Sequence, residues 1–380
     1  MVEQRTHKPR VGGSIPPSAN FCKAKIGETR PSSEGNDRRS ASLTISKMDL
    51  AERFESVLKH QSFLLPGETV FVACSGGPDS VALFHLFLGI RDKWKLKLGL
   101  LHFNHGLRGA DSDSDARFVK NLAVQHKVRF YGGRTSRLKK ARPKRESLEE
   151  ASRKARYEFL IRTARRYRIA KVGLAHTQND QAETILMRIL QGTGLRGLSG
   201  IRQQIREGRV TLIRPLLHFS KEYLLEFLKK NRIPFRQDKS NQSPQFLRNR
   251  IRLKLLPRLE REFNPRLIPA LARIPVIVQE ENQLLESLEQ TAWKRIFNRR
   301  LRSTLYLNRK IFLKLPSALQ FRMIQHALQT LDQKSGIHYE GWQRLREGLK
   351  QNQFRYSLPR DIDLLLTPFQ LKVYKKFAIR

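Results

Sequence analysis

Acidic side chains are scarce in this sequence: 34 Asp and Glu stand against 74 Lys and Arg in 380 residues, a formal net charge of +40. The imbalance points to a polyanionic partner, because a basic field of this size speeds encounter with nucleic acid and binds it through counterion release. Charge alone selects no particular nucleic acid. Cysteine is nearly missing. Cys22 and Cys74 are the only two, too few and too far apart for a disulfide framework, a zinc knuckle or an iron-sulfur cluster, and this fits a reducing cytosol. No apolar run approaches the roughly 20 residues a membrane helix needs, and no hydrophobic signal core follows Met1. The expectation is a soluble, cytoplasmic chain with no membrane partner.

Residues 1–47 are rich in Ser, Pro, Gly and Arg without apolar periodicity. Such a stretch cannot bury enough surface to offset the entropy of ordering, so it reads as a disordered basic arm. Met48, directly before a periodic segment, offers a second reading, a start called too early. From Asp49 the pattern is regular. A helix to about His60 is followed by short apolar runs at Val70–Cys74, Leu98–Phe103, Val128–Tyr131 and Lys171–Ala175, alternating with helical segments near 111–126, 146–168 and 178–190. That alternation predicts an α/β fold, a parallel sheet with helices on both faces. Residues 48–260 form the expected catalytic domain. Residues 261–380 are expected to be a smaller, mostly helical domain, with helices over about 266–350 uninterrupted by strands and a few short antiparallel strands after Arg355.

Directly after the first apolar run stands Ser75-Gly76-Gly77-Pro78-Asp79-Ser80, and Val81 to Leu86 then continue as a helix. At a strand-to-helix turn, glycines let the backbone approach an anion, and hydroxyls and free N–H groups at the helix start donate to phosphate oxygens. Pro78 suits the first helical turn, where its missing N–H costs little. The Walker pattern is absent here. The string resembles the SGGxDS signature of PP-loop ATP pyrophosphatases, which implies that Ser75, Gly76, Gly77, Pro78, Asp79 and Ser80 grip the diphosphate of ATP.

Four further segments narrow the likeness: His102-Phe103-Asn104-His105-Gly106-Leu107-Arg108; Ser152-Arg153-Lys154-Ala155-Arg156-Tyr157; His176 to Thr184 with Gly192 to Leu198; and Asp238-Lys239-Ser240-Asn241 before Arg248-Asn249-Arg250-Ile251-Arg252. Together with the loop they resemble the tRNA(Ile)-lysidine synthetase family, densely over about 48–260 and more loosely beyond. The resemblance implies the PP-loop, adenine nucleotide alpha hydrolase-like fold. It also implies a reaction that joins free L-lysine to carbon 2 of the wobble cytidine of a tRNA(Ile) with a CAU anticodon. ATP first adenylates the base with loss of pyrophosphate, and the lysine amine then displaces AMP.

The expected catalytic residues are Asp79, Asp180 and Glu183. Three residues apart on a helix, Asp180 and Glu183 share a face suited to an ammonium group or a magnesium ion. Phe103, His105, Arg108, Arg153, Arg156 and His176 are expected to meet nucleotide or phosphate. Asp79, Asn104 and Asp180 are the candidate ligands for Mg2+. Asn104 and Asn179 stand where the family's usual pattern has Asp, so one well-held magnesium is expected, not two. A homodimer is left open. Two other readings stay in view: a tRNA thiolase, for which two cysteines are a poor donor set, and a noncatalytic RNA-binding relative.

Overall fold

A computed structural model describes residues 49–106, 110–134, 148–237, 247–332, 335–358 and 360–376. The basic arm 1–47, Arg108 and the Asp238–Asn241 string lie outside the described residues. Helix α1 (Leu50–His60) buries Leu50, Phe54 and Leu58, spaced four apart on one face, and places Lys59 and His60 at its negative C-terminal end. Strand β1 (Thr69–Ala73) is apolar and buried through its middle, as a central parallel strand must be. Next come α2 (Pro78–Ile90), β2 (Lys97–Asn104), α3 (Ala110–Gln125), β3 (Arg129–Arg134), α4 (Leu148–Arg166), β4 (Lys171–Gly173) and α5 (Gln178–Leu190). After the short α6 (Leu195–Leu198), β5 (Gln204–Glu207) and β6 (Val210–Ile213) form a hairpin that the sequence pattern did not reveal.

The sheet runs β3-β2-β1-β4-β6-β5, and every pairing except the β5–β6 hairpin is parallel. Phe54 and Phe87 meet edge to face at 5.0 Å in the core beneath α1 and α2. On the other side Phe159, Leu160 and Ala164 of α4 pack over Phe71, Leu101 and Val172. Burying each such ring or branched chain contributes roughly 1.5–3 kcal/mol. At Gly99 any Cβ would overlap the Phe71 ring, so a glycine in β2 lets that ring lie flat on the sheet. The chain leaves β1 toward β2 and β3, then crosses back to β4 and β6. The carboxyl ends of β1 and β4 therefore flank a switch point, where parallel α/β sheets leave a crevice.

Beyond the sheet lie α7 (Lys221–Lys230) and α8 (Leu247–Arg250), which runs through a π turn at Ile251–Leu255 into α9 (Leu256–Glu262), and then the long α10 (Leu267–Ile296). The expectation of strand-free helices over 266–350 is corrected here. A hairpin, β7 (Phe297–Leu301) and β8 (Thr304–Asn308), interrupts them before α11 (Arg309–Lys314), α12 (Ser317–Leu331) and α13 (Tyr339–Gly348). β7 is exposed along its whole length, so it lacks the alternation that betrays a half-buried strand. The terminal strands β9 (Phe354–Leu358), β10 (Ile362–Leu366) and β11 (Gln370–Lys375) occur as expected and join the hairpin in an antiparallel sheet ordered β7-β8-β11-β10-β9.

Helix α10 is tied to its neighbours by Glu289. This carboxylate accepts from Arg196 of α6 at 2.9 Å and from Arg322 of α12 at 3.4 Å, and it faces His326 at 3.0 Å. Arg196, inside the Gly192–Leu198 motif, thus has a structural partner remote from the phosphate loop.

Candidate active site

The loop after β1 is built on its own hydroxyls. Ser75 N–H donates to Ser80 Oγ at 3.2 Å, Gly77 N–H donates to Ser75 Oγ at 3.3 Å, and Ser80 Oγ–H donates to the Gly77 carbonyl at 2.9 Å. Gly76 adopts φ +91°, a left-handed conformation that L side chains rarely take, and its carbonyl accepts from Arg236 N–H at 2.9 Å. No side chain caps α2 at Gly77, and Pro78 occupies the first turn. The Asp79 and Ser80 N–H groups consequently lack intrahelical acceptors and point out of the helix start, a ready cradle for phosphate oxygens.

Opposite the loop, the turn after β4 starts α5 with a reciprocal cap. Thr177 Oγ1 accepts from Asp180 N–H, while Asp180 Oδ2 accepts from Thr177 N–H at 2.9 Å. This fixes Asp180 with its other oxygen free to turn outward. Asp180 and Glu183 do share one face, and two arginines engage them there. Arg248 donates to Asp180 at 3.0 Å and to Glu183 at 2.8 Å; Arg252 donates to Glu183 at 2.9 Å and to Asp180 at 3.4 Å. Lys221, at the start of α7, sits 3.8 Å from Asp79. Three carboxylates thus face three chain cations. Lys221, Arg248 and Arg252 carry no role in the sequence reading; the Arg248–Arg252 string was visible as a motif, whereas Lys221 gave no signal.

Burial pushes the Asp79 carboxyl up to about 6, and its like-charged neighbours Asp180 and Glu183 add to this against the pull of Lys221 and Arg252. Burial also acts on Asp180, but the cations Lys221 and Arg248 outweigh it and hold that carboxyl below its ordinary range. Burial keeps the His176 imidazole well below its usual value and therefore neutral, and among the described residues its Nδ1 has no hydrogen-bond partner.

A second charge feature lies on the α4 side. Arg156 is desolvated near Arg153, Arg214 and Arg248, and the burial and the like charges lower its pKa. Among the described residues its Nε has no hydrogen-bond partner. Arg214, almost fully buried, donates to the Arg202 carbonyl at 2.8 Å and to Tyr157 Oη at 3.1 Å. Clustered buried cations repel one another, and an arriving anion relieves that cost.

Phe103, near the end of β2, and His105, just past it, have ring centroids 4.9 Å apart, so both stand at the carboxyl end of the sheet, as the loop does. Asn104 is buried; it donates to Asp113 at 2.8 Å and accepts from Gly106 N–H at 2.8 Å. A metal contact at Asn104 would have to use its remaining carbonyl lone pair. Asn179 accepts from Lys221 N–H at 2.9 Å and donates to Glu222 at 3.4 Å. An aspartate at 179 would face Glu222 with like charge, which accounts for the amide. Among the described residues no three His, Cys, Asp or Glu side chains converge on one metal position. Asp79, desolvated beside the phosphate cradle, suits a magnesium ion that takes its other ligands from phosphates and water.

Residues 47–259 match the family model described as the PP-loop domain. The chain is 36% identical over 287 residues to a tRNA(Ile)-lysidine synthase of Symbiobacterium thermophilum, covering 74% of this chain and 59% of that protein. It is 35% identical over 239 residues to the tRNA(Ile)-lysidine synthase of Clostridium acetobutylicum, covering 63% and 51%, and 29% identical over 314 residues to that of Clostridioides difficile, covering 81% and 66%. This chain therefore spans between about half and two thirds of the length of these relatives. Among solved structures, the U34-tRNA thiolase NcsA of Methanococcus maripaludis, with its 4Fe-4S cluster, is similar at a TM-score of 0.51 and 15% identity over 64% of this chain and 81% of that one, a likeness of fold.

Proposed function

The chain belongs to the PP-loop family, and from that premise we propose that it is an ATP-dependent ligase joining free L-lysine to carbon 2 of the wobble cytidine in a tRNA(Ile) with a CAU anticodon. The observation that carries the reading is the pairing of a phosphate cradle with a buried acid pair across one crevice: Ser75–Ser80 after β1, and Asp180 with Glu183 after β4. Relatives named tRNA(Ile)-lysidine synthase support the choice of substrate.

Each residue then has a physical task. The loop N–H groups and the Ser75 and Ser80 hydroxyls bind the diphosphate of ATP, and Arg153 and Arg156 neutralise phosphate charge from the α4 side. Bound magnesium would supply charge neutralisation between phosphate oxygens, with Asp79 as its protein ligand. Neutral His176 lies between the cationic and acidic groups, where it orients the reacting base without adding charge. Asp180 and Glu183 receive the lysine ammonium by exchanging a guanidinium contact for the incoming N–H donors. Adenylation of the cytosine oxygen releases pyrophosphate, and attack by the amine releases AMP. Fixing the three reactants in one crevice converts a multi-body reaction into a nearly unimolecular one. Residues 48–260 carry this chemistry and 261–380 grip the tRNA.

Incubating the protein with ATP, radiolabelled lysine and a tRNA(Ile) transcript tests the reading. Label in the tRNA is the expected result. Pyrophosphate release with no lysine incorporated would point to another PP-loop modification, and RNA binding with no ATP turnover would point to a noncatalytic relative.

A further inference from the structure

We infer that the outer face of the C-terminal antiparallel sheet is a binding platform for an unpaired RNA segment. The inference rests on the proposed tRNA function and concerns a surface outside the PP-loop crevice. One face of this sheet is core: Leu305, Leu307, Leu364, Leu371 and Val373 are buried against α12 and its neighbours. The alternate residues point the other way. Cross-strand register aligns Arg299 with Tyr306, Tyr306 with Lys372, Lys372 with Leu365, and Leu365 with Arg355. A single row thus crosses all five strands and reads cation, aromatic, cation, aliphatic, cation.

The row is not a set of surface ion pairs. Arg299 and Lys372 are each turned to the Tyr306 ring, at 4.9 and 5.6 Å from its centroid, and among the described residues neither pairs with a carboxylate. Arg355 is the exception, bound to Asp363 through two hydrogen bonds. One pair beyond the row, the turn from β10 to β11 carries Phe369, which is 88% exposed. A large ring held in water at a hairpin tip has no packing role. Cations held over a half-buried tyrosine, with one exposed aromatic ring at the adjoining hairpin tip, match single-stranded nucleic acid, whose phosphates need neutralising and whose bases stack on rings without regard to sequence. A duplex hides its bases and would use the cations alone. The net charge of +40 favours an RNA partner over an acidic patch on a protein.

The test uses the full chain and fluorescence anisotropy with two labelled probes, a twelve-nucleotide single-stranded RNA and an RNA duplex of equal length, across a salt series. Phe369→Ala, which leaves the core untouched, should weaken single-strand binding about fivefold or more without altering the salt slope, since stacking is not a counterion effect. Arg299→Gln with Lys372→Gln should weaken it about tenfold and flatten the log–log salt slope by roughly 1.4, about 0.7 for each lost phosphate contact. Neither variant should change the ATP concentration that half-saturates pyrophosphate release. Unchanged single-strand binding in both variants would overturn the platform, as would equal losses on the duplex. Lysine incorporation by the unaltered protein, measured in parallel, separates failure of this inference from failure of the ligase reading.

Discussion

Replacing Glu183 by Gln perturbs the most tightly bound charges in the crevice. Glu183 is 1% exposed, and both its oxygens are held by Arg248 and Arg252, which also share Asp180. The amide keeps the shape but leaves two guanidiniums facing one carboxylate. Removing one partner of a buried pair costs about 3–5 kcal/mol because the remaining charge stays desolvated. Retained amide hydrogen bonding should bring the cost here to about 2–3 kcal/mol. In a chain of 380 residues, with an unfolding entropy of about 0.8 kcal/mol/K, that lowers the melting temperature by roughly 3–4 °C. Calorimetry of the wild type, Glu183→Gln, Arg252→Met and the double variant forms the cycle. The double variant should lose less than the sum of the singles by about 1.5 kcal/mol or more, because removing both partners leaves no stranded charge. Additive losses would refute the claim that these residues are one electrostatic unit.

Further expectations follow from other contacts. Gly76→Ala, forced to φ +91°, should cost about 1–2 kcal/mol and raise the ATP requirement of pyrophosphate release at least tenfold, with little change in the lysine requirement. Arg156→Met removes a buried guanidinium from a group of like charges; unfolding should show unchanged or higher stability while turnover falls a hundredfold or more, and a strong loss of stability would contradict an anion-binding role. Asn179→Asp places like charge against Glu222 and should destabilise the protein by about 1 kcal/mol, an effect that Glu222→Gln should remove. Burial, aided by nearby His126, lowers the His85 pKa from 6.5 to about 4, so the unfolded chain takes up this proton first as the pH falls. Stability should therefore decline from about pH 6.5 down to about pH 4, and His85→Leu should flatten part of that decline.

Much of this architecture was legible because the sequence carries it locally. The apolar runs of β1 and β2 and the turn residues of Ser75–Ser80 state their roles within ten residues, and the helix start at Thr177 sets Asp180 and Glu183 on one face. Long-range partners were not legible. Lys221 reaches Asp79 across more than a hundred residues of chain, through a helix whose start is held by Asn179. Arg248 and Arg252 stood out as a basic string, but nothing in their spacing reveals that they close onto the acids of α5. The β7–β8 hairpin was missed for a different reason. Phe297–Leu301 is an exposed edge strand, and its polar residues look like the continuation of a basic helix.

The central claim is that the turn at Ser75 holds the diphosphate of ATP while Asp180 and Glu183, across the crevice, hold the amine. A crystal structure with a non-hydrolysable ATP analogue and lysine tests both halves at once. The account predicts β- and γ-phosphate oxygens within hydrogen-bonding distance of the Asp79 and Ser80 N–H groups, and the lysine ammonium against Asp180 and Glu183. A triphosphate bound elsewhere with the turn empty, or an ammonium remote from both acids, would contradict it.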